Sequence, residues 1–280
     1  MENKVLREFI LRSLAEDLGD GDHTSLACIH ENKTGKAKLF IKEKGVLAGV
    51  RVAGVLFNTI DKELQFDVVL EDETSIVPGD IAFYLSGSQQ SILKSERLVL
   101  NIMQRMSGIA TRTQEYVSKL NGLKTKILDT RKTTPGFRFL EKEAVRIGGG
   151  MNHRMGLYDL IMLKDNHIDY AGGIDKAIIK TRVYLKNNNM NLKIEVEARS
   201  LSDVKTILKV GGVDRIMLDN FSIMDTMAAV KEISGKVETE SSGGITLDTI
   251  RSYAECGVDF ISVGALTHHV KSLDMSLKAM

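Results

Sequence analysis

Apolar residues recur with two different periods along this chain, and the change between them divides it. In MENKVLREFILRSLAEDLG, Val5, Leu6, Phe9, Ile10, Leu14 and Leu18 fall at helical spacing and predict an amphipathic helix. From about residue 20 to residue 88, short apolar runs alternate with turn signals. LFIKEKGVLAGV, LQFDVVL and IAFYLSG predict strands, with VRVAGVLFNTI as a helix between them, an α+β pattern. SILKSERLVLNIMQRMSGIATRTQEYVSKL then predicts a long helix, weakened at Gly108, that bridges two domains.

From about residue 124 the pattern becomes strand–helix alternation. KTKILDT, DLIMLKD, KIEVEA, RIMLDN, KVETES and FISVGA read as buried strands. IDKAIIKTRVYLK, SLSDVKTILKV, IMDTMAAVKEI and TLDTIRSYAEC read as helices between them, which implies a parallel sheet with helical crossovers. About six strands fit either an incomplete barrel or an open doubly wound sheet. Each apolar run ends on polar or small residues: Arg131-Lys132, Lys164-Asp165, Glu195 and Glu197, Asp219-Asn220, Ser241-Ser242 and Gly264. Barrel strands converge their carboxyl ends on one mouth. An open sheet gathers ligands at a switch point and needs such residues on fewer strands. The pattern favours the barrel.

The 38 Lys and Arg against 37 Asp and Glu leave a net charge of +1, too little for a broad nucleic-acid or anionic-membrane face. The longest apolar tract, GVLAGVRVAGVLF, is broken by Arg51 and too short to span a bilayer. Cys28 and Cys256 are far apart, without ligand-spaced partners, and read as reduced thiols of a cytoplasmic protein.

Against that near-neutral background, Asp129 to His167 concentrates cations among glycine-rich turns. Arg131, Arg154 and the more distant Arg105 suit bidentate binding of carboxylates, whereas Lys132 and Lys164 suit phosphate or pyrophosphate oxygens as point charges. His153 could donate a hydrogen bond to the same anion. The competing reading pairs these cations with Asp129, Glu141, Glu143 or Asp165. Glu195 and Glu197, two apart on a strand, share a face. With Asp219 they are oxygen donors suited to Mg²⁺ carried in by substrate phosphates, unless they pair with lysines instead. ESSGGITLDTI and SVGALTH each place small residues between a strand and a helix start, which makes Ser242, Gly243, Gly244, Val263, Gly264 and Ala265 a candidate phosphate cradle. Gly148 to Gly150 are candidate hinges. VVLEDETS superficially matches the acidic ribose-phosphate motif of nucleotide-salvage phosphoribosyltransferases, but it lacks the following Thr-Gly loop and reads as structural. Walker, HExxH and GxSxG motifs are missing from the sequence.

Taken in order, DTRKTTPG, GGGMNHRMGLYDLIMLKDNH, IEVEA, IMLDN, ESSGG and ISVGALTHHVKSLDMSL closely resemble quinolinate phosphoribosyltransferase, the carboxylating nicotinate-nucleotide pyrophosphorylase family. LAEDLGDGDHTS and ERLVLNIMQRMSGIATRT extend the resemblance over nearly the whole chain. It implies a type II phosphoribosyltransferase fold: an N-terminal α/β sandwich over 1–110 and an irregular, incomplete six-stranded α/β barrel over 111–265. A C-terminal helix of about 266–280 would pack back on the first domain. The implied reaction converts quinolinate and phosphoribosyl pyrophosphate, with Mg²⁺, to nicotinate mononucleotide, pyrophosphate and CO₂. By resemblance, Arg105, Arg131, His153 and Arg154 hold the quinolinate carboxylates, and Lys132 and Lys164 contact both substrates. Glu197 and Asp219 lie near the ribose and metal-pyrophosphate, and Ser242, Gly243, Gly244 and Gly264 cradle the 5-phosphate. Catalytic roles fall to Lys132, Lys164, Glu197 and Asp219. Arg105 would enter the neighbouring subunit's site, which implies a homodimer with a shared site, in some members assembled to a hexamer. Two other classes remain: a phosphoribosyltransferase acting on nicotinate or another heterocycle, and a non-catalytic binder of a sugar phosphate or pyridine nucleotide. The departures, His269 and Thr239, lie outside the candidate site.

Overall fold

The computed structural model describes residues 3–280. In chain order its first elements are α1 (Asn3–Leu18), α2 (His23–Cys28), β1 (Thr34–Ile41), β2 (Gly45–Val46), α3 (Val50–Ile60), β3 (Gln65–Val68), β4 (Ser75–Ile76), β5 (Ile81–Ser88) and α4 (Gln89–Lys119). Next come β6 (Lys126–Leu128), α5 (Arg138–Ile147), β7 (Ile161–Leu163), α6 (Asp165–Ala171), α7 (Ile174–Asn187), β8 (Ile194–Ala198) and α8 (Leu201–Val210). The chain ends with β9 (Arg215–Asp219), α9 (Ile223–Ile233), β10 (Glu238–Ser242), α10 (Ile250–Glu255), β11 (Phe260–Ser262), α11 (Ala265–His268) and β12 (Met275–Ala279). None of the described helices is long and apolar enough to cross a membrane.

The chain divides into two units. One comprises residues up to Gln114, Thr133–Gly149 and Thr267–Met280; the other comprises Glu115–Lys132 and Gly150–Leu266. The first holds a four-stranded antiparallel sheet in the order β12-β1-β5-β3. Leu39, Ile41, Phe83 and Leu85 are buried in it, and Phe57, Phe66 and Phe83 pack at centroid distances of 4.9 to 5.5 Å. Asp72, in the false phosphoribosyltransferase motif, accepts the Val50 N–H at 2.8 Å and so caps α3, a structural role.

Two expectations are corrected in this unit. The segment expected as a helix over about 266–280 holds only the short α11, and its end is β12, paired antiparallel to β1 from Ala37↔Ala279 to Ile41↔Met275. Its Met-Ser-Leu-Lys-Ala alternation is a strand period, with Met275 and Leu277 buried. The boundary expected near residue 110 falls after Gln114, and Thr133–Gly149 joins the first unit instead of the barrel. Here α5 buries Leu140, Ala144 and Val145, and Gly148 approaches α4 so closely that a Cβ would sit 3.0 Å from Ala110 Cα. Gly148 is a packing position, not a hinge.

The second unit is built on six parallel strands in the order β6-β11-β10-β9-β8-β7. Each strand from β7 to β11 neighbours the next in sequence, and β11 pairs with β6. That is barrel order with one seam open, whereas a doubly wound sheet reverses direction from a central strand. The seam lies between β6 and β7, where the chain leaves for Thr133–Gly149; beside β6 there is only the isolated bridge Leu128↔Met151. The result is the irregular, incomplete α/β barrel expected from the sequence.

Candidate active site

Strand register places the acidic residues. Arg215 pairs with Glu195 on one side and Glu238 on the other, and Met217 pairs with Glu197 and Glu240. Because side chains alternate, Glu195, Glu197, Arg215, Asp219, Glu238, Glu240 and Ser242 share one face. Ile194, Val196, Ala198, Ile216 and Leu218 take the other and are buried. The face thus has two polar levels, one in the strand interiors and one at the carboxyl ends.

At the carboxyl ends stand Glu197, Asp219 and Lys164. Glu197 is nearly buried, and burial followed by the charge of Asp219 raises its pKa, while Lys164 pulls the other way. The Asp165 backbone N–H also reaches the Glu197 carboxylate. Asn220, in a left-handed conformation (φ 55°), donates Nδ2 to Asp219 Oδ2 at 2.6 Å. Two carboxylates and a lysine therefore converge. Lys164 is the N-cap just before α6, where the His167 ring accepts its N–H at 3.1 Å, so His167 serves the helix cap.

Arg131 and Arg154 lie close enough to interact. Burial and then the Arg131 charge lower the Arg154 pKa, a repulsion that a bound anion would relieve. The Arg154 guanidinium is half-buried and donates to the Leu160 carbonyl at 3.1 Å, whereas Arg131 and Lys132 are exposed. The expected pairing of a cation with a neighbouring acid is seen at Arg105 in the first unit. Arg105 gives Nε and Nη2 to Glu141 Oε1 at 3.2 and 2.9 Å, Nη2 to the Thr267 carbonyl and Nη1 to the Val270 carbonyl. Glu141 is fully buried and also accepts the Thr134 N–H and hydroxyl, which ties the Thr-Thr-Pro-Gly turn to α4. Glu141→Ala is expected to cost about 3 kcal/mol in denaturant unfolding, since it leaves a half-buried guanidinium without its carboxylate.

Below the carboxyl ends lies a buried ionic set that sequence reasoning found only in part. His153 Nε2 stands 3.1 Å from Glu195 Oε2 and 3.4 Å from Glu240 Oε2. Arg215 reaches Glu240 at 3.0 Å and Glu238 at 3.0 Å, with its guanidinium 4.0 Å over the Phe260 ring. Burial alone would lower the His153 pKa, but the two carboxylates override it and raise it to about 9. Burial, then the Glu240 charge, raises the Glu195 pKa as well. The Arg154 backbone nitrogen lies 2.7 Å from His153 Nδ1. His153, Glu195 and Glu240 have the donor types of a metal site, but Arg215 already supplies their cation.

The late glycines form a separate feature. Gly243 (φ 96°) and Gly244 (φ 61°) are left-handed, and a Cβ on Gly243 would lie 2.6 Å from Asn220 Cγ. The helix expected directly after them starts only at Ile250, so backbone amides of the loop, not a helix terminus, are available there. On the next strand, Val263 is buried and Gly264 leads directly into α11 at Ala265. Thr239 points away from this face: its N–H and hydroxyl both donate to Asp259 at 2.8 Å. His269, the other departure, is exposed and stacks edge-on with His268.

Glu141, Arg215, Glu240 and Asp129 were not singled out as site residues from the sequence. Arg215 and Glu240 sit at strand positions whose register alone reveals them, and Glu141 lies in a helix without a strong sequence signal.

Residues 22–107 match the family description "Quinolinate phosphoribosyl transferase, N-terminal domain", and 109–278 match "Quinolinate phosphoribosyl transferase, C-terminal domain". The chain is 44% identical to "Nicotinate-nucleotide pyrophosphorylase [carboxylating], chloroplastic" of Arabidopsis thaliana, over 98% of this chain and 82% of that protein. It is 41% identical to "Probable nicotinate-nucleotide pyrophosphorylase [carboxylating]" of Bacillus subtilis, over 98% and 92%. Among solved structures, NadC from Streptococcus pyogenes superposes with a TM-score of 0.94 at 40% identity, covering 99% of this chain and 97% of that one. Both halves, in order and nearly end to end, match one family, and the chain is an enzyme that belongs to the quinolinate phosphoribosyltransferases, the decarboxylating transferases of NAD biosynthesis.

Proposed function

We propose that the carboxyl ends of β6 to β11 carry the family's reaction: phosphoribosyl transfer from phosphoribosyl pyrophosphate to quinolinate with loss of CO₂. The observation that supports this best is the pairing of like charges on two sides of one strand-end face. Arg131 stands by Arg154, and Glu197 stands by Asp219. Such pairs are unfavourable alone and become favourable around ligands of opposite charge. The arginines would take the quinolinate carboxylates, Lys132 and Lys164 the facing oxygens of both substrates, and Ser242, Gly243, Gly244, Val263, Gly264 and Ala265 the 5-phosphate.

Quinolinate's ring nitrogen attacks the anomeric carbon as the bond to pyrophosphate breaks, through an oxocarbenium-like state. Holding two anions in line against their repulsion is most of the task, and fixed cations perform it. The new positive nitrogen then stabilises by its charge the carbanion left at the adjacent carbon when CO₂ departs, and that carbon's electron pair takes up a proton in place of the carboxyl group. Glu197 and Asp219 are oxygen donors that fit Mg²⁺, which would add positive charge beside the departing pyrophosphate.

Release of labelled CO₂ from carboxyl-labelled quinolinate is expected to require both phosphoribosyl pyrophosphate and Mg²⁺, with nicotinate giving no turnover. Turnover of nicotinate alone would overturn the reading. Gly243→Ala is expected to raise the KM for phosphoribosyl pyrophosphate about tenfold, because the side chain must displace Asn220 and strain a left-handed backbone; steady-state kinetics check it.

Arg105 commits four N–H donors to Glu141, Thr267 and Val270, and among the described residues one of the five a guanidinium has makes no hydrogen bond. We assign that remaining donor to a neighbouring subunit's site in a homodimer. Mixing Arg105→Ala subunits with subunits carrying Asp219→Asn should restore activity that neither homodimer has. No recovered activity would count against a shared site. Cys28 and Cys256 are free thiols, which suits the cytoplasm as the place of action.

A further inference from the structure

Glu141 stands in the first turn of α5, where a negative charge suits the helix terminus. Its side chain is 0% exposed against 25% for Arg105, so the carboxylate is closed to substrate while the guanidinium it grips keeps an open side. The two oxygens take four donors: Oε1 accepts Arg105 Nε, Arg105 Nη2 and the Thr134 hydroxyl, and Oε2 accepts the Thr134 N–H. The carbonyls that share Arg105 are fixed as well. Their stretch lies backbone-close to α4, since a Cβ on Gly108 would meet the Lys271 carbonyl oxygen, and Gln104 bonds both Leu273 and Met275. Nε gives its one hydrogen to Glu141, Nη2 gives its two to Glu141 and Thr267, and Nη1 gives one to Val270. The donor that makes no hydrogen bond among the described residues is therefore on Nη1, off the edge that Glu141 holds.

We propose that Glu141 is a positioning residue for the neighbouring subunit's site: it grips the Nε–Nη2 edge of Arg105 and so aims Nη1 at the quinolinate bound across the dimer. A guanidinium is planar, and one edge on a fixed oxygen with two carbonyl contacts beyond it leaves a single orientation. The Thr134 donors hold the carboxylate in turn, so orientation passes from the Thr-Thr-Pro-Gly turn through Glu141 to Arg105. Because Glu141 offsets the Arg105 charge at close range, what Arg105 offers its neighbour is a directed donor more than a free cation. Its angle then decides its worth, and misplacement of a binding group by about 1 Å can cost on the order of a hundredfold in rate. The inference rests on reading Arg105 as a quinolinate ligand of the neighbouring subunit.

Glu141→Gln tests it, because the amide keeps the side chain's shape but offers one oxygen in place of two and no charge. The variant is expected to raise the quinolinate KM about tenfold with a smaller change in kcat. Added to Arg105→Ala, it should leave the KM where Arg105→Ala alone puts it. A further rise in the double variant, or an unchanged KM with only a lower thermal midpoint, would overturn the proposal and leave a purely structural ion pair. Should Glu141→Gln lower the yield of folded enzyme, Glu141→Asp carries the same test, since it keeps the charge and ends one methylene short of Arg105. Differently tagged, co-expressed subunits then give heterodimers of Glu141→Gln with Asp219→Asn. Their one working barrel takes Arg105 from the subunit whose Glu141 is intact, so the quinolinate KM should return to that of the unsubstituted enzyme. A KM that stays raised, while Arg105→Ala paired with Asp219→Asn recovers, would overturn the proposal alone. If neither pairing recovers, the shared-site reading falls and takes the role of Glu141 across the dimer with it.

Discussion

Asp219→Asn is expected to lower kcat/KM for phosphoribosyl pyrophosphate by about a hundredfold or more, the scale of losing one charged group that acts on a leaving anion. The substitution keeps the shape of the side chain and its contact with Asn220 Nδ2, so the strand end should stay folded. What it removes is one of two adjacent negative charges. Asp219 is the second cause, after burial, of the raised Glu197 pKa. Without it Glu197 should titrate closer to an ordinary glutamate. The kinetic loss should concentrate on the pyrophosphate-bearing substrate and on the Mg²⁺ requirement, with quinolinate binding by calorimetry close to that of the unsubstituted enzyme. Unchanged Mg²⁺ dependence and unchanged phosphoribosyl pyrophosphate kinetics would remove Asp219 from the site.

The contrast between Asp219 and Arg215 marks how far the sequence could be read. Both lie on β9 and on the same face. Asp219 announces itself as a charged residue just past an apolar run, a pattern local to five residues. Arg215 opens the strand, where a charge reads as a solvated end, and only the register against Glu195 and Glu238 places it inside the buried set. The six barrel strands and the long α4 were legible for the same reason as Asp219, since period and strand-end polarity are local signals. The C-terminal strand was not. HHVKSLDMSL fits a helical reading by itself, and β12 exists because β1 offers it an antiparallel edge some 235 residues earlier. The joining of Thr133–Gly149 to the first unit has the same origin, in contacts such as Glu141 with Arg105 that no sequence window contains. His153 shows a subtler limit: the sequence located it beside Arg154 but could not tell which way its ring faces.

Arg154→Ala is expected to raise the KM for quinolinate about a hundredfold, some 2.7 kcal/mol, the scale of losing one bidentate guanidinium–carboxylate contact in a partly dry site. Arg131→Ala should follow with a smaller effect, because Arg131 is exposed and Arg154 is half-buried. Lysine at either position should recover little, since a point charge cannot match the two oxygens of a carboxylate. The free enzyme should respond in the opposite sense. Burial and then the Arg131 charge depress the Arg154 pKa, so the two cations repel each other when no dianion lies between them. Removing one relieves that repulsion, and the ligand-free thermal midpoint of Arg131→Ala is expected to equal or exceed that of the unsubstituted enzyme, the usual trade between stability and a prepared site. Saturating quinolinate should then raise the midpoint much less than it does in the unsubstituted enzyme, because the shift scales with the logarithm of ligand over Kd. A variant that loses midpoint in the free state and keeps the full quinolinate shift would mean that the two arginines hold the barrel together instead of holding the substrate.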